Sequence, residues 1–208
     1  MRRFVSVVLG ASLCVFVATT AQAQIALGIR GGYNSSSVTI KENDVKIEGF
    51  KSRSGFHGGV DLAFAVSPMV GVEIGGFYSQ KGFGEESTDA TAKLDYIDIP
   101  LVVAINVPTN SQITPRIFLG GVGSIEMSCK LSLAGTSVDC TDEDFGARKS
   151  FYFSAIGGAG IAVAAGPGTF LIQGAYQLGL TNISDEEGVS AKGNAIQASV
   201  GYRFPVGG

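Results

Sequence analysis

From position 25 onward, apolar residues recur at every second place in eight separate stretches, the period of a β-strand with one apolar and one polar face. In 25–33, Ile25, Leu27, Ile29 and Tyr33 stand opposite Arg30, and in 56–64, Phe56, Val60, Leu62 and Phe64 stand opposite His57 and Asp61. In 70–81, Val72, Ile74 and Tyr78 alternate with Glu73, Ser79 and Lys81. In 94–106, Ile97, Ile99, Leu101, Val103 and Ile105 alternate with Tyr96, Asp98 and Asn106. The stretch 116–128 sets Ile117, Leu119, Ile125 and Met127 against Arg116, Ser124 and Glu126, with glycines between. In 151–164, Phe151, Phe153, Ile161 and Val163 face only Tyr152, Ser154 and small residues. The last two stretches are clean: Phe170, Ile172, Tyr176, Leu178 and Leu180 against Gln173 and Gln177, then Ile196, Ala198, Val200, Tyr202 and Phe204 against Gln197, Ser199, Gly201 and Arg203.

The connections between these strands sort by length. After the first, third, fifth and seventh they are long and polar (34–55, 82–93, 129–150 and 181–193), whereas Ser67-Pro68-Met69 and Gly166-Pro167-Gly168 make short turns after the second and sixth. The connection after the fourth, Val107 to Pro115, is intermediate. Eight strands with long loops at one end and short turns at the other predict an all-β fold, an eight-stranded antiparallel up-and-down transmembrane β-barrel. The aromatics of the apolar face divide the same way. Tyr33, Phe56, Tyr78, Phe151 and Phe153 fall near the long loops, and Phe64, Phe170, Tyr202 and Phe204 near the short turns. Two girdles flanking an aliphatic band suit a bilayer with two interfaces. Residues 151–172 carry no charge and are long enough for a membrane helix. Their glycines and the Gly-Pro-Gly turn favour a hairpin instead.

The segment before the first strand fits a removable leader. Arg2 and Arg3 precede an apolar run from Phe4 to Ala18, and Ala21-Gln22-Ala23 supplies small residues at the positions a signal peptidase inspects. Cleavage is expected after Ala23, dividing the chain into a signal peptide (1–23) and one barrel domain (24–208). Cys14 lies in the apolar run behind Leu13, a poor context for lipid attachment. The leader takes two of the 15 Lys+Arg and none of the 18 Asp+Glu, leaving 13 against 18 and a net charge of −5. That balance and the absence of a basic stripe argue against nucleic acid. The 30 glycines with no Trp fit strands that curve tightly on one another. Cys129 and Cys140 remain after cleavage, and in an oxidising compartment such a pair predicts a disulfide across an outer loop. Two free thiols are the alternative, and zinc has little support in a chain with one His.

On the barrel reading the polar faces point inward and bring in Arg30, Lys81, Arg116 and Arg203 with Asp61, Glu73, Asp98 and Glu126, together with His57, Tyr96, Tyr152, Gln173, Gln177 and Gln197. Eight strands leave room only for side chains, and buried charges need partners, so the balanced count predicts a plugged interior and no large pore. A nucleophilic serine site would need His57 near an activated Ser and an orienting acid. No Ser is singled out by spacing, and His57 reads as a solvated rim residue, so no enzyme and no cofactor are expected. Gly157-Gly158-Ala159-Gly160 lacks the third glycine and following helix of a nucleotide loop. The loops are acidic (Glu42, Asp44, Glu85, Glu86, Asp89, Asp142, Glu143, Asp144, Asp185, Glu186, Glu187) without a calcium-loop spacing. They read as solvated charges, with divalent cations bridging them to anionic headgroups as the alternative, and no metal site is named.

The segments "LDYIDIPLVVAI" (94–105), "IGGAGIAV" (156–163), "AYQLGLTNI" (175–183) and "VGYRF" (200–204) resemble the outer-membrane β-barrel family often described as porin-family or PorT-like proteins of Bacteroidetes and relatives. The resemblance spans nearly all of the chain after the leader. It implies an eight-stranded barrel in the outer membrane of a Gram-negative bacterium, and little about activity. Two features depart from the family's pattern: residues 205–208 follow the terminal aromatic Phe204, and the Cys129/Cys140 pair is particular to this chain. Pro205 is expected to end the last strand at Phe204. Expected partners are outer-membrane lipid, the barrel-assembly machinery during biogenesis and a surface partner at the long loops, with the protein a monomer. Two alternatives stay open: a soluble exported lipocalin-like barrel holding a small apolar ligand, and a lipid-modifying enzyme using His57. A charge at Val200 is expected to impair assembly, and the same charge at Ser199 to be milder.

Overall fold

The computed structural model describes residues 24–43, 45–47, 49–85, 90–133, 136–140, 149–184 and 188–206. The predicted leader and its cleavage point lie outside these residues, as do Asp44, Glu86, Asp89, Asp142, Glu143, Asp144, Asp185, Glu186 and Glu187 of the acidic loops.

Ten strands account for nearly all that is described: β1 Ile25–Glu42, β2 Val45–Ile47, β3 Phe50–Ala65, β4 Val70–Glu85, β5 Thr91–Asn106, β6 Ile113–Leu133, β7 Thr136–Asp139, β8 Phe151–Ala165, β9 Gly168–Gly179 and β10 Val189–Val206. β1, β3, β4, β5, β6, β8, β9 and β10 pair in that order, each antiparallel to the next. β10 then pairs back along the whole length of β1, from Ile25 opposite Val206 to Glu42 opposite Val189. The sheet therefore closes on itself as an eight-stranded up-and-down barrel, and no membrane-level edge is left with unpaired backbone. β2 and β7 are short additions beyond one end, pairing with β1 and β6.

Among the described residues the long connections are mostly strand. β1 runs nine residues past Tyr33, β3 begins at Phe50, and the segment between the cysteines is the β6–β7 hairpin rather than loop. The last strand also continues through Pro205 to Val206. Pairing with β9 stops at Arg203, opposite Thr169 near the start of β9, so Pro205 has a neighbour on one side only, paired with Ala26, and a strand tolerates proline at such an edge. Residues 151–172 form β8 and the start of β9, with Gly166 at φ 60° in the turn, a left-handed position that favours glycine.

Outward positions carry the aliphatic band. Ile29, Leu101, Leu119, Ile172 and Val200 are all more than half exposed, which leaves a continuous apolar surface for the bilayer. The girdles stand at its two ends. Tyr33 packs edge-on against Phe56 at 6.3 Å, and at the opposite end Phe170, Tyr202 and Phe204 stack in sequence at 4.7 and 4.6 Å. The soluble-barrel alternative needs apolar side chains inside and charges outside, and over this band the arrangement is the reverse.

Candidate functional site

The barrel interior gathers the buried charges into two groups. Toward the short-turn end, Arg203 donates from Nε to Asp61 Oδ1 at 2.8 Å and through both terminal nitrogens to the two oxygens of Glu73, at 2.7 Å each. Arg116 donates to the same Glu73 carboxylate and, at 3.4 Å, to Gln173. Arg30 lies 3.4 Å from Asp61 and stacks over the Phe77 ring at 4.7 Å. Three guanidiniums thus share two carboxylates, and the forked geometry gives the planar donors directional partners in a space that holds little water. These residues come from β1, β3, β4, β6 and β10, so the cluster ties strands across the lumen.

Nearer the long-loop end, Lys81 uses its three N–H groups on Asp98 (2.8 Å), the Tyr152 hydroxyl (2.9 Å) and Gln177 Oε1 (3.2 Å). Ser124 donates to Asp98 at 2.6 Å, Gln177 to Ser154 at 2.6 Å, and Gln197 to Gln177 at 3.4 Å. The Tyr96 and Tyr152 rings pack edge-on at 5.2 Å with Lys81 over both. Glu126, half-buried, lies above this layer with the Tyr96 hydroxyl at 3.5 Å.

His57 is not a rim residue. It is buried inside the barrel, with Nδ1 at 2.7 Å from Asn34 Oδ1 and Nε2 at 2.9 Å from Ser199 Oγ. Ser, His and Asn in that order form the relay a nucleophilic site uses. Here all three are buried, and the adjoining cavity of about 40 Å³ is little more than a water's space, so no ester could reach Ser199. The relay satisfies three polar groups across three strands. Ser199 is therefore a worse place for an added charge than expected, because a longer side chain there meets His57.

Above the Lys81 layer the strands invert their polarity. Val38 and Ile40 of β1, Phe83 of β4, Leu94 of β5 and Val189 of β10 line the inside of the mouth, and Ile183 joins them. By the alternation of the strand, Thr39, Lys41, Lys93, Asp95, Ser190 and Lys192 take the outer face. The apolar lining surrounds a partly open cavity of about 200 Å³ whose floor is Lys81, Tyr152 and Gln177. Cys129 lies in its wall, bonded to Cys140 across the β6–β7 hairpin with Cα atoms 5.4 Å apart.

Several interior residues give no polar signal in the sequence. Val102, Ala104, Phe118, Val122 and Ile156 form an apolar patch inside the barrel, on the same strand parity as Asp98, Arg116 and Ser154. Parity alone places them there, since a closed small barrel needs filling volume as well as charge. Asn34 and Ser36 fall in a segment expected to be loop, and only the continuation of β1 brings them inside.

A family model described as "Outer membrane protein beta-barrel domain" matches residues 20–185. Comparison with curated proteins finds no match. Among solved structures, the outer membrane protein OprG from Pseudomonas aeruginosa is similar, with a TM-score of 0.54, 17% identity, and coverage of 88% of this chain and 98% of that one. Neisserial surface protein A (NspA) is similar with a TM-score of 0.50 and 12% identity, covering 87% of this chain and 99% of that one. At these identities the likeness is one of fold.

Proposed function

This chain belongs to the outer membrane protein beta-barrel domain family, is an integral protein of the bacterial outer membrane, and from that premise we propose that it is a non-conducting barrel with a structural and surface-display role. The observation that carries this is the lumen at membrane level. The Arg30–Asp61–Glu73–Arg116–Arg203 cluster and the Lys81–Asp98 layer stand one above the other, leaving a gap of about 40 Å³. An ion crossing would have to break paired charges whose separation costs several kcal/mol. What the barrel displays is its upper third: strand extensions, the disulfide-closed β6–β7 hairpin, and β2, all of which extend past the long-loop girdle. In outer-membrane barrels the long loops are the extracellular ones, so this part faces the cell surface and any partner there.

On this reading the leader is removed after Ala23, the assembly machinery closes β10 onto β1, and the folded protein is a monomer without catalytic activity. Purified protein in a planar bilayer is expected to give no stable conductance, and a steady, large, ohmic step would overturn the plug. Sequencing the exported protein is expected to return Gln24 first.

A further inference from the structure

We propose that the extracellular mouth is a binding site for a small, uncharged, apolar molecule. The inversion of polarity is the first reason. At membrane level the barrel is polar inside and apolar outside, whereas in the extension Val38, Ile40, Leu94 and Val189 turn inward and Lys41, Lys93 and Lys192 outward, the arrangement of a water-soluble barrel. A soluble barrel of this kind packs its apolar interior shut or holds a ligand in it. Here it is not shut: about 200 Å³ stays open among apolar walls. An apolar cavity of that size is large enough for a benzene-sized guest.

The floor sets the charge of the guest. Among the described residues Lys81 is the one Lys, Arg, Asp or Glu in the lining, and its three N–H groups are taken by Asp98, Tyr152 and Gln177. Lys81 has no N–H left for a carboxylate, and among the described residues no carboxylate lines the wall to receive a cation. Asn194 is likewise occupied, accepting from Gly179 N and donating to Thr39. The guest is therefore a compact hydrocarbon ring or short alkyl chain without a charged group. The site stands above the plug, so its occupancy and the conduction test succeed or fail separately.

Methyl-labelled protein in nanodiscs of deuterated lipid, titrated with benzene, tests this. Saturable shifts are expected on the methyls of Val38, Ile40, Leu94 and Val189, while lipid-facing Ile196 and Val200 change linearly as benzene partitions into the bilayer. Ala195→Met fills the cavity from the floor and Ala191→Met from the wall, and each is expected to weaken saturable binding at least ten-fold. Ala198→Met, on the lipid face, leaves it unchanged. Having two filling variants keeps the test open if one fails to assemble. Shifts that are linear everywhere, or saturable shifts that survive both filling variants, would overturn the proposal.

Discussion

At the scale of single residues, Glu73 is the member of the interior with most at stake. It receives Arg203 through both oxygens and Arg116 through one, and it is buried. Replacing it by Gln keeps the shape and removes the charge, leaving three guanidiniums to share Asp61 alone. Breaking a buried pair from one side costs about 3–5 kcal/mol. Glu73→Gln is therefore expected to lower the unfolding free energy of the barrel in vesicles by that amount, read as a lower urea midpoint followed by the gel shift between heated and unheated samples. His57 makes a contrasting case. Its two hydrogen bonds join neutral groups, each worth about 1 kcal/mol net. His57→Gln, which can still accept and donate, is expected to cost far less than Glu73→Gln in the same assay, and a loss of similar size would mean that His57 does more than satisfy Asn34 and Ser199.

At the scale of elements, the prediction for β10 sharpens. Val200 is 61% exposed in the middle of the apolar band, where Lys costs about 2–4 kcal/mol. Ser190, ten residues up the same strand and on the same face, lies beside Lys192 in the extension, where a charge meets water. Val200→Lys is expected to impair assembly into vesicles and Ser190→Lys to leave it unchanged, a comparison that replaces Ser199 as the control. In the β6–β7 hairpin the β6 arm is held by β5, whereas among the described residues β7 pairs with β6 alone. The disulfide joins positions 11 apart in sequence, so Cys140→Ser is expected to expose β7 to limited proteolysis while heat-modifiable migration of the barrel persists. Loss of the folded barrel in that variant would show that the bridge supports more than its hairpin.

At the scale of the whole molecule, what the sequence disclosed and what it hid divide at the long-loop girdle. Below it, period-2 patterning found all eight staves, because lipid demands an apolar outer face and that demand leaves a strong signal in residues such as Ile29, Ile99 and Val200. Above it, the same template ends β1, β3, β4, β5, β6 and β10 early, whereas β8 and β9 keep their expected upper limits to within a residue. Past Tyr33 the apolar residues of β1 change parity, to Val38 and Ile40, since water replaces lipid outside and the lumen becomes the dry side. A pattern that changes face looks like a strand that has ended. His57 was misplaced for the same reason, as Asn34 and Ser199 could be matched to it only once β1 was known to continue and to pair with β10. The two halves should then be separable. Ser36 pairs with Arg53, so replacing residues 37–52 by Asn-Gly closes β1 onto β3 at the top of the membrane-level barrel with a two-residue hairpin. This removes Val38 and Ile40 from the mouth and touches neither ion cluster. The shortened protein is expected to assemble, to migrate as a folded barrel and to remain closed to ions, while saturable benzene binding disappears. If it fails to assemble, the extension is part of the folding unit rather than a soluble-type cap built on a barrel that stands without it.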